Sequence, residues 1–210
     1  MITGRQSRLN KLAGKHSTQQ GRARNALPLP VFNCQKFLKM AKLNNNSYFN
    51  NMKKLVIFYS LNNNTKFIAE KLAQGIGADI LELKPEKEIP QKEPMQHLSG
   101  GKQAMAKETP RLQKYDINLA DYDTLIIGTP VWAFTFTPPL RTFLRENQIK
   151  NKKIILFCTY DLLKGMTFNN LRKELEGNDI VAEIGFRSVL KKQEENLKKL
   201  QDFIKESNFC

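Results

Sequence analysis

Lys53-Lys54-Leu55-Val56-Ile57-Phe58-Tyr59-Ser60-Leu61-Asn62-Asn63-Asn64-Thr65 is the stretch that decides how this chain is read. Lys54 to Tyr59 is almost continuously apolar, as a strand covered on both faces must be. A loop rich in hydroxyl and amide side chains follows. From Thr65 to Ile76 the period changes to that of a helix, with Ile68, Leu72 and Ile76 on one face and Gly75 and Gly77 at the end. A strand, a polar loop and a helix start place free backbone N–H groups, side-chain donors and a positive helix end around one small space, which suits a phosphate. No Lys or Arg lies inside the loop, so a phosphate there is held by dipoles. The plainer alternative is that Asn64 caps the helix and the other Asn residues form a turn.

Working outward, the same alternation repeats. Asp79 to Leu83, Thr124 to Gly128, Ile154 to Cys158 and Ile180 to Phe186 read as further strands. Thr137-Pro138 reads as an N-cap and first helical position, with a helix running to about Glu146. Thr167 starts another helix with Phe168, Leu171 and Leu175 inward. Lys192 to Ile204 is the last, with Leu197, Leu200 and Ile204 inward. Pro85 to Leu119 is a long polar connection, with a helix expected around Lys102 to Glu108. Two-sided strands alternating with helices predict a doubly wound α/β domain with a parallel sheet and helices on both faces. Ligands of such sheets sit beyond the strand C-termini.

Two more loops fall at that edge. Thr129-Pro130-Val131-Trp132-Ala133-Phe134 follows the third strand and holds the single Trp of the chain; with Phe136 it offers three aromatics within five residues, a stacking surface for a planar ligand or ordinary core packing. Thr159-Tyr160-Asp161 opens the third loop, and Gly165 lies near its end.

Composition sets the frame. The 210 residues carry a formal charge of +14, unevenly spread. Residues 1–52 hold nine of the 34 Lys and Arg and none of the 20 acids, which leaves 25 bases against 20 acids, or +5, in the remainder. The segment 1–52 shows no sustained period and an Asn-rich end, so it is expected to be a disordered basic extension, with a transient helix near Phe37 to Met40. Start sites at Met40 or Met52, a targeting segment, and a polyanion-binding arm are the readings considered for it, the start-site reading being favoured; no specific nucleic-acid partner is expected. No stretch is long and apolar enough for a membrane span. Cys34, Cys158 and Cys210 have neither metal-ligand nor disulfide-framework spacing, and a reducing, cytoplasmic setting is expected.

Taken together, the three loops resemble the flavodoxin family. Its first loop usually reads Ser/Thr-x-Thr-Gly-Asn-Thr, against Ser60-Leu61-Asn62-Asn63-Asn64-Thr65 here. Asp121-Tyr122-Asp123-Thr124-Leu125-Ile126-Ile127-Gly128-Thr129-Pro130-Val131-Trp132 and Pro138-Pro139-Leu140-Arg141-Thr142-Phe143-Leu144 are similar to the third strand, aromatic loop and following helix of short-chain flavodoxin-like proteins. The resemblance covers about residues 53–206 of a domain read as 53–210. It implies a five-stranded flavodoxin-like sheet of order 2-1-3-4-5 and bound FMN, with the phosphate in the first loop and the ring between the other two. It also implies a redox role: an electron carrier between partner proteins, or a reductase using NAD(P)H and a small quinone or nitro-type acceptor, as monomer or homodimer. No catalytic side chain and no metal ligand is assigned, because the flavin carries the chemistry. His97, the single His after residue 52, reads as a surface residue of the long connection.

Four departures from the family pattern bear on the function. Asn63 stands where Gly is usual, and Asn is the next most tolerant residue for that conformation. Asp161-Leu162-Leu163 replaces a Gly-rich third loop. Ala133-Phe134 occupies the place of the Gly whose peptide turns toward the reduced ring in electron carriers. The domain is basic, whereas such carriers are acidic. The last two move the expectation toward two-electron chemistry, and the first two motivate an alternative of another class, a flavin-less binding module.

Overall fold

The apolar runs form five strands, β1 (Lys54–Phe58), β2 (Asp79–Glu82), β3 (Thr124–Pro130), β4 (Lys153–Tyr160) and β5 (Asp179–Arg187). They alternate with α1 (Asn64–Ile76), α2 (Met95–Met105), α3 (Pro138–Asn147), α4 (Thr167–Glu174) and α5 (Gln193–Glu206). The computed structural model describes residues 53–87 and 95–207. The expectations for residues 1–52, including the helix near Phe37 to Met40, lie outside the described residues.

All strands pair in parallel, in the order β2-β1-β3-β4-β5. Val56 lies beside Ile80 on one side and Ile126 on the other, and Ile126 in turn lies beside Ile155. The flavodoxin-like order expected from the resemblance is therefore observed. Successive residues of one strand feed opposite cores. Leu55, Ile57, Leu125, Ile127, Ile154 and Leu156 pack under α3 and α4 with Phe136, Leu140, Phe143 and Leu171. Val56, Phe58, Ile126, Ile155 and Phe157 pack under α1 and α5 with Ile68, Leu72 and Leu200. Both faces are apolar, so the strands show no polar alternation. Gly128 is required by this packing: a Cβ there would lie 2.0 Å from the Phe157 ring of the adjoining strand.

Helix ends follow local chemistry. Gly77 closes α1 in the left-handed conformation at φ 63°, and the Ala78 N–H bonds to the Ala73 carbonyl at 3.0 Å. Pro138 and Pro139 open α3 after Thr137. Two expectations need correction. The helix of the long connection runs over Met95–Met105, not Lys102 to Glu108, and Lys107 at φ 54° turns the chain out of it. Gly100 and Gly101 sit inside that helix although Gly is a poor helix former; the reason is tertiary, since a Cβ on Gly100 would come within 3.2 Å of Trp132. In α5, Leu197 is only half-buried and the inward position belongs to Asn196, whose amide donates to the Arg187 and Lys192 carbonyls at 3.0 and 2.8 Å. No helix among the described residues is long and apolar enough to cross a membrane.

Candidate functional site

The loop after β1 enters α1 through Asn63, held at φ 59° and ψ −3°. That left-handed residue turns the chain sharply enough for the following N–H groups to face the space beyond the strand. The Ser60 hydroxyl accepts from the Lys66 N–H at 3.2 Å, which occupies one of the donors of the helix start. Among the described residues, no acceptor meets the N–H groups of Asn63, Asn64 and Thr65. Asn64 does not cap the helix: its Oδ1 accepts from the Leu190 N–H at 3.1 Å and ties the loop to the segment after β5. The Lys66 ammonium is turned away to Glu82 at 3.0 Å, a partner that raises its pKa. The donors left at this end are thus backbone dipoles, without a committed cation.

The loop after β3 is a tight two-residue turn. Trp132 and Thr135 exchange both backbone hydrogen bonds at 2.9 Å, and between them Ala133 and Phe134 take φ values of 46° and 62°. This mirror-image turn normally uses Gly, Asn or Asp. Trp132 presents its ring edge-on to Tyr59 at 5.5 Å and packs against Gly100 from α2. Thr129 is buried below the turn, where its hydroxyl accepts from the Thr137 N–H and meets the Thr137 hydroxyl, each at 3.2 Å.

The third loop completes the edge. The Thr159 carbonyl accepts from the Val131 N–H at 2.9 Å, and its hydroxyl meets that of Thr65 at 2.8 Å in a fully buried contact. One hydrogen-bonded chain therefore joins all three loops. The Asp161 carboxylate is drawn outward to the Ser188 hydroxyl at 3.1 Å, and Arg187 donates to the Asp161 carbonyl at 2.9 Å. Gly165, at φ 54°, lies under the aromatic turn: a Cβ there would meet Phe134 Cβ at 2.5 Å, and the next N–H, of Met166, donates to the Phe134 carbonyl at 2.9 Å.

These loops enclose a cleft of about 290 Å³. Ser60, Leu61, Asn62, Asn64 and Thr65 line one end. Pro130, Val131, Trp132 and Ala133 form a wall, and Thr159, Tyr160 and Asp161 the opposite one. Of the other residues singled out in the sequence, Asn63 shapes the first loop from behind, Thr129 is buried beneath the second, and Phe134 and Gly165 lie behind the turn. Gly101 also lines the cleft and was missed; within the sequence it is one Gly in a polar connection, with no local signal of where α2 would carry it. Donors for an anion thus sit at one end and an indole and a phenol at the other, a set that fits a phosphate joined to a planar ring. Among the described residues no cluster of three or more His, Cys, Asp or Glu is placed to hold a metal ion. Cys158, fully buried in β4, has its thiol pKa pushed up to about 12 by burial and is no nucleophile near pH 7.

The family model described as Flavodoxin matches residues 53–199. Among curated proteins none matches. Several solved structures are similar in fold. A flavoprotein of Lactobacillus acidophilus NCFM, solved in complex with FMN, shares 22% identity and a TM-score of 0.58, over 68% of this chain and 99% of its own. Flavoproteins described as putative come from Bacteroides eggerthii, with 20% identity, a TM-score of 0.57 and coverage of 74% and 97%, and from Bacteroides uniformis, with 20%, 0.58, and coverage of 72% and 98%. With the family model spanning the sheet and all three loops of the cleft, the chain belongs to the flavodoxin family.

Proposed function

We propose that this protein binds FMN in the cleft and works in redox chemistry, with the phosphate on the N–H groups of Asn64 and Thr65 and the ring between Trp132 and Tyr160. The observation that carries this reading is that acceptor-free N–H groups at the start of α1 share one cleft with Trp132 and Tyr160. The FMN complex of the Lactobacillus flavoprotein supports the choice of group. When bound, FMN supplies reversible electron transfer, and the chain supplies position and field. Ser60, Asn62 and Thr65 add neutral donors beside the phosphate. Trp132 covers one side of the ring space and is itself fixed by Tyr59 and Gly100. Asp161 lines the wall opposite Trp132, with its carboxylate bonded to the Ser188 hydroxyl.

On this reading the protein carries electrons between partners. A second reading, reduction of a small acceptor at the expense of NAD(P)H, is favoured by the clamped turn. The Phe134 carbonyl accepts from the Met166 N–H, and Trp132 and Thr135 are bonded twice, so the turn is held at both ends against the rearrangement that a ring of changing charge would ask of it.

Titration of the full chain with FMN, read by absorbance and by quenching of Trp132 fluorescence, tests the binding. One flavin per chain is expected; a folded chain that retains none sinks the FMN assignment and leaves the flavin-less module. Stepwise reduction then separates the two roles. Two resolved spectral steps favour the carrier. A single step accompanied by NAD(P)H oxidation favours the reductase.

A further inference from the structure

Among the described residues eight large apolar side chains are exposed, and five of them gather at one edge of the molecule. Leu162 is 79% exposed and Leu163 66%, in the loop after β4. Met105 ends α2 at 74%. Phe134, at 62%, and Met166, at 55%, stand with it around a hollow of about 360 Å³ behind the aromatic turn. The Met166 N–H, bonded to the Phe134 carbonyl at 2.9 Å, joins that turn to the loop that carries both leucines. Exposed apolar residues are ordinary when scattered singly, but five from three segments on one surface mark an interaction site. The patch adjoins the mouth of the cleft, because Ala133 and Asp161, which line the cleft, immediately precede Phe134 and Leu162.

The charge around the patch is basic. Lys102 lies about one turn before Met105 on α2, Lys107 and Lys173 line the hollow, and Lys164 follows Leu163. All four are exposed, and among the described residues none of their ammonium groups meets a carboxylate. Lys164 lies over the Phe168 ring at 5.6 Å. The acids of the same segments are Glu108, Asp161 and Glu174. Asp161 is bonded to the Ser188 hydroxyl, and one Glu174 oxygen is shared by Arg141 and Arg145. Lysines that no carboxylate holds keep their charge mobile on long apolar stems, which suits a diffuse anionic surface better than a fixed pattern of partner carboxylates. A second copy packed about a two-fold axis would set these lysines against each other. Apolar side chains ringed by lysines are the composition that binds the interface of an anionic bilayer.

We propose that this edge docks on an anionic lipid surface. Leu162, Leu163, Met105, Phe134 and Met166 enter the headgroup region, and the four lysines meet the lipid phosphates. Docking needs no flavin, and it turns the mouth of the cleft toward the lipid. The formal charge of +14 on the whole chain adds long-range attraction without choosing the face that lands.

The test mixes the full chain with sucrose-loaded vesicles of phosphatidylglycerol or of phosphatidylcholine and measures the protein that sediments. Binding to phosphatidylglycerol is expected to be at least about tenfold tighter. Leu162→Ser combined with Leu163→Ser leaves the charge unchanged at two exposed positions and is expected to weaken binding roughly tenfold. Lys164→Gln and Lys173→Gln are each expected to weaken it roughly fivefold. To place the contact, the six methionines carry ¹³C-methyl labels and bicelles of phosphatidylglycerol carry a spin-labelled lipid. The Met105 and Met166 signals are expected to broaden. Equal binding to the two lipids, unchanged binding of the double leucine variant, or broadening confined to Met1, Met40 and Met52 of the basic extension overturns the proposal. FMN retention, read by absorbance on the same sample, reports on the cleft separately.

Discussion

Two turns at the C-terminal edge of the sheet take the same uncommon backbone conformation by different means. Asn63 enters α1 at φ 59° with no side-chain cap, and among the described residues no acceptor meets its peptide N–H. Asn visits this region readily, so the residue itself supports the turn. Ala133 and Phe134, at 46° and 62°, have no such tolerance. They are held from outside by the paired Trp132–Thr135 bonds, the Met166 N–H, and the close fit of Gly165. The first turn is specified by its own sequence and leaves its N–H groups available to an anion. The second stores strain that the third loop offsets, and it yields a rigid wall with a cavity on each side.

The comparison breaks most severely at Gly165. Gly165→Ala puts a methyl 2.5 Å from Phe134 Cβ at a φ of 54°; a loss of about 3 kcal/mol is expected. Urea unfolding monitored by Trp132 fluorescence measures it, and an unchanged midpoint would mean that the third loop does not clasp the turn. Next is Thr65→Val, which removes the hydroxyl bonded to Thr159 and leaves a buried group unmet. A loss of about 1–2 kcal/mol is expected, with Thr65→Ser close to the parent; equal losses for Val and Ser would assign the effect to packing. Smaller effects of opposite sign separate the turns directly. Phe134→Gly relieves strain at an exposed side chain and is expected to gain about 0.5–1 kcal/mol. Asn63→Gly is expected to gain only about a few tenths of a kcal/mol. Equal gains would erase the distinction between a locally and an externally held turn.

The smallest expected effect concerns the strand floor beneath both turns. Cys158 is expected to resist alkylation at pH 8 in the folded protein and to react on unfolding, as peptide mapping after iodoacetamide would show. Its thiol ionises at about 12 in the fold, against an ordinary 9.0. The contribution of this group to stability is therefore constant below pH 9.0 and declines as pH rises from there toward 12, because only the unfolded thiol is then ionised. Native alkylation at pH 8 as fast as in denaturant would show that β4 opens.

The central strands were legible because β1, β3 and β4 are apolar on both faces, and Leu55/Val56 or Ile126/Ile127 need no partner to declare that. The first and second loops were legible as two loops at one edge of the sheet, with residue types suited to a phosphate and a planar ring. Less was visible where one segment answers to another. Gly100 and Gly101 precede the helix expected at Lys102 to Glu108, yet both sit in α2, where Trp132 occupies the space a side chain on Gly100 would fill. A cap by Asn64 was the plainer alternative for the first loop, but its side-chain Oδ1 goes to the Leu190 N–H, a partner 126 positions away. Leu197 and Asn196 exchange places because Asn196 finds two carbonyls where α5 meets the end of β5.

By itself the sequence determined the parallel two-sided sheet, the order of its elements along the chain, and a first loop able to present N–H groups to an anion. These follow from periodicity and local conformational preference, which act within a few residues. Only the tertiary structure decided that Ala133 and Phe134 are held in a strained turn, that Thr65 and Thr159 join the first loop to the third, and that Arg141 is buried behind the turn with one side unmet. Those features depend on contacts between segments distant in the chain, and no local pattern encodes the space that another segment leaves.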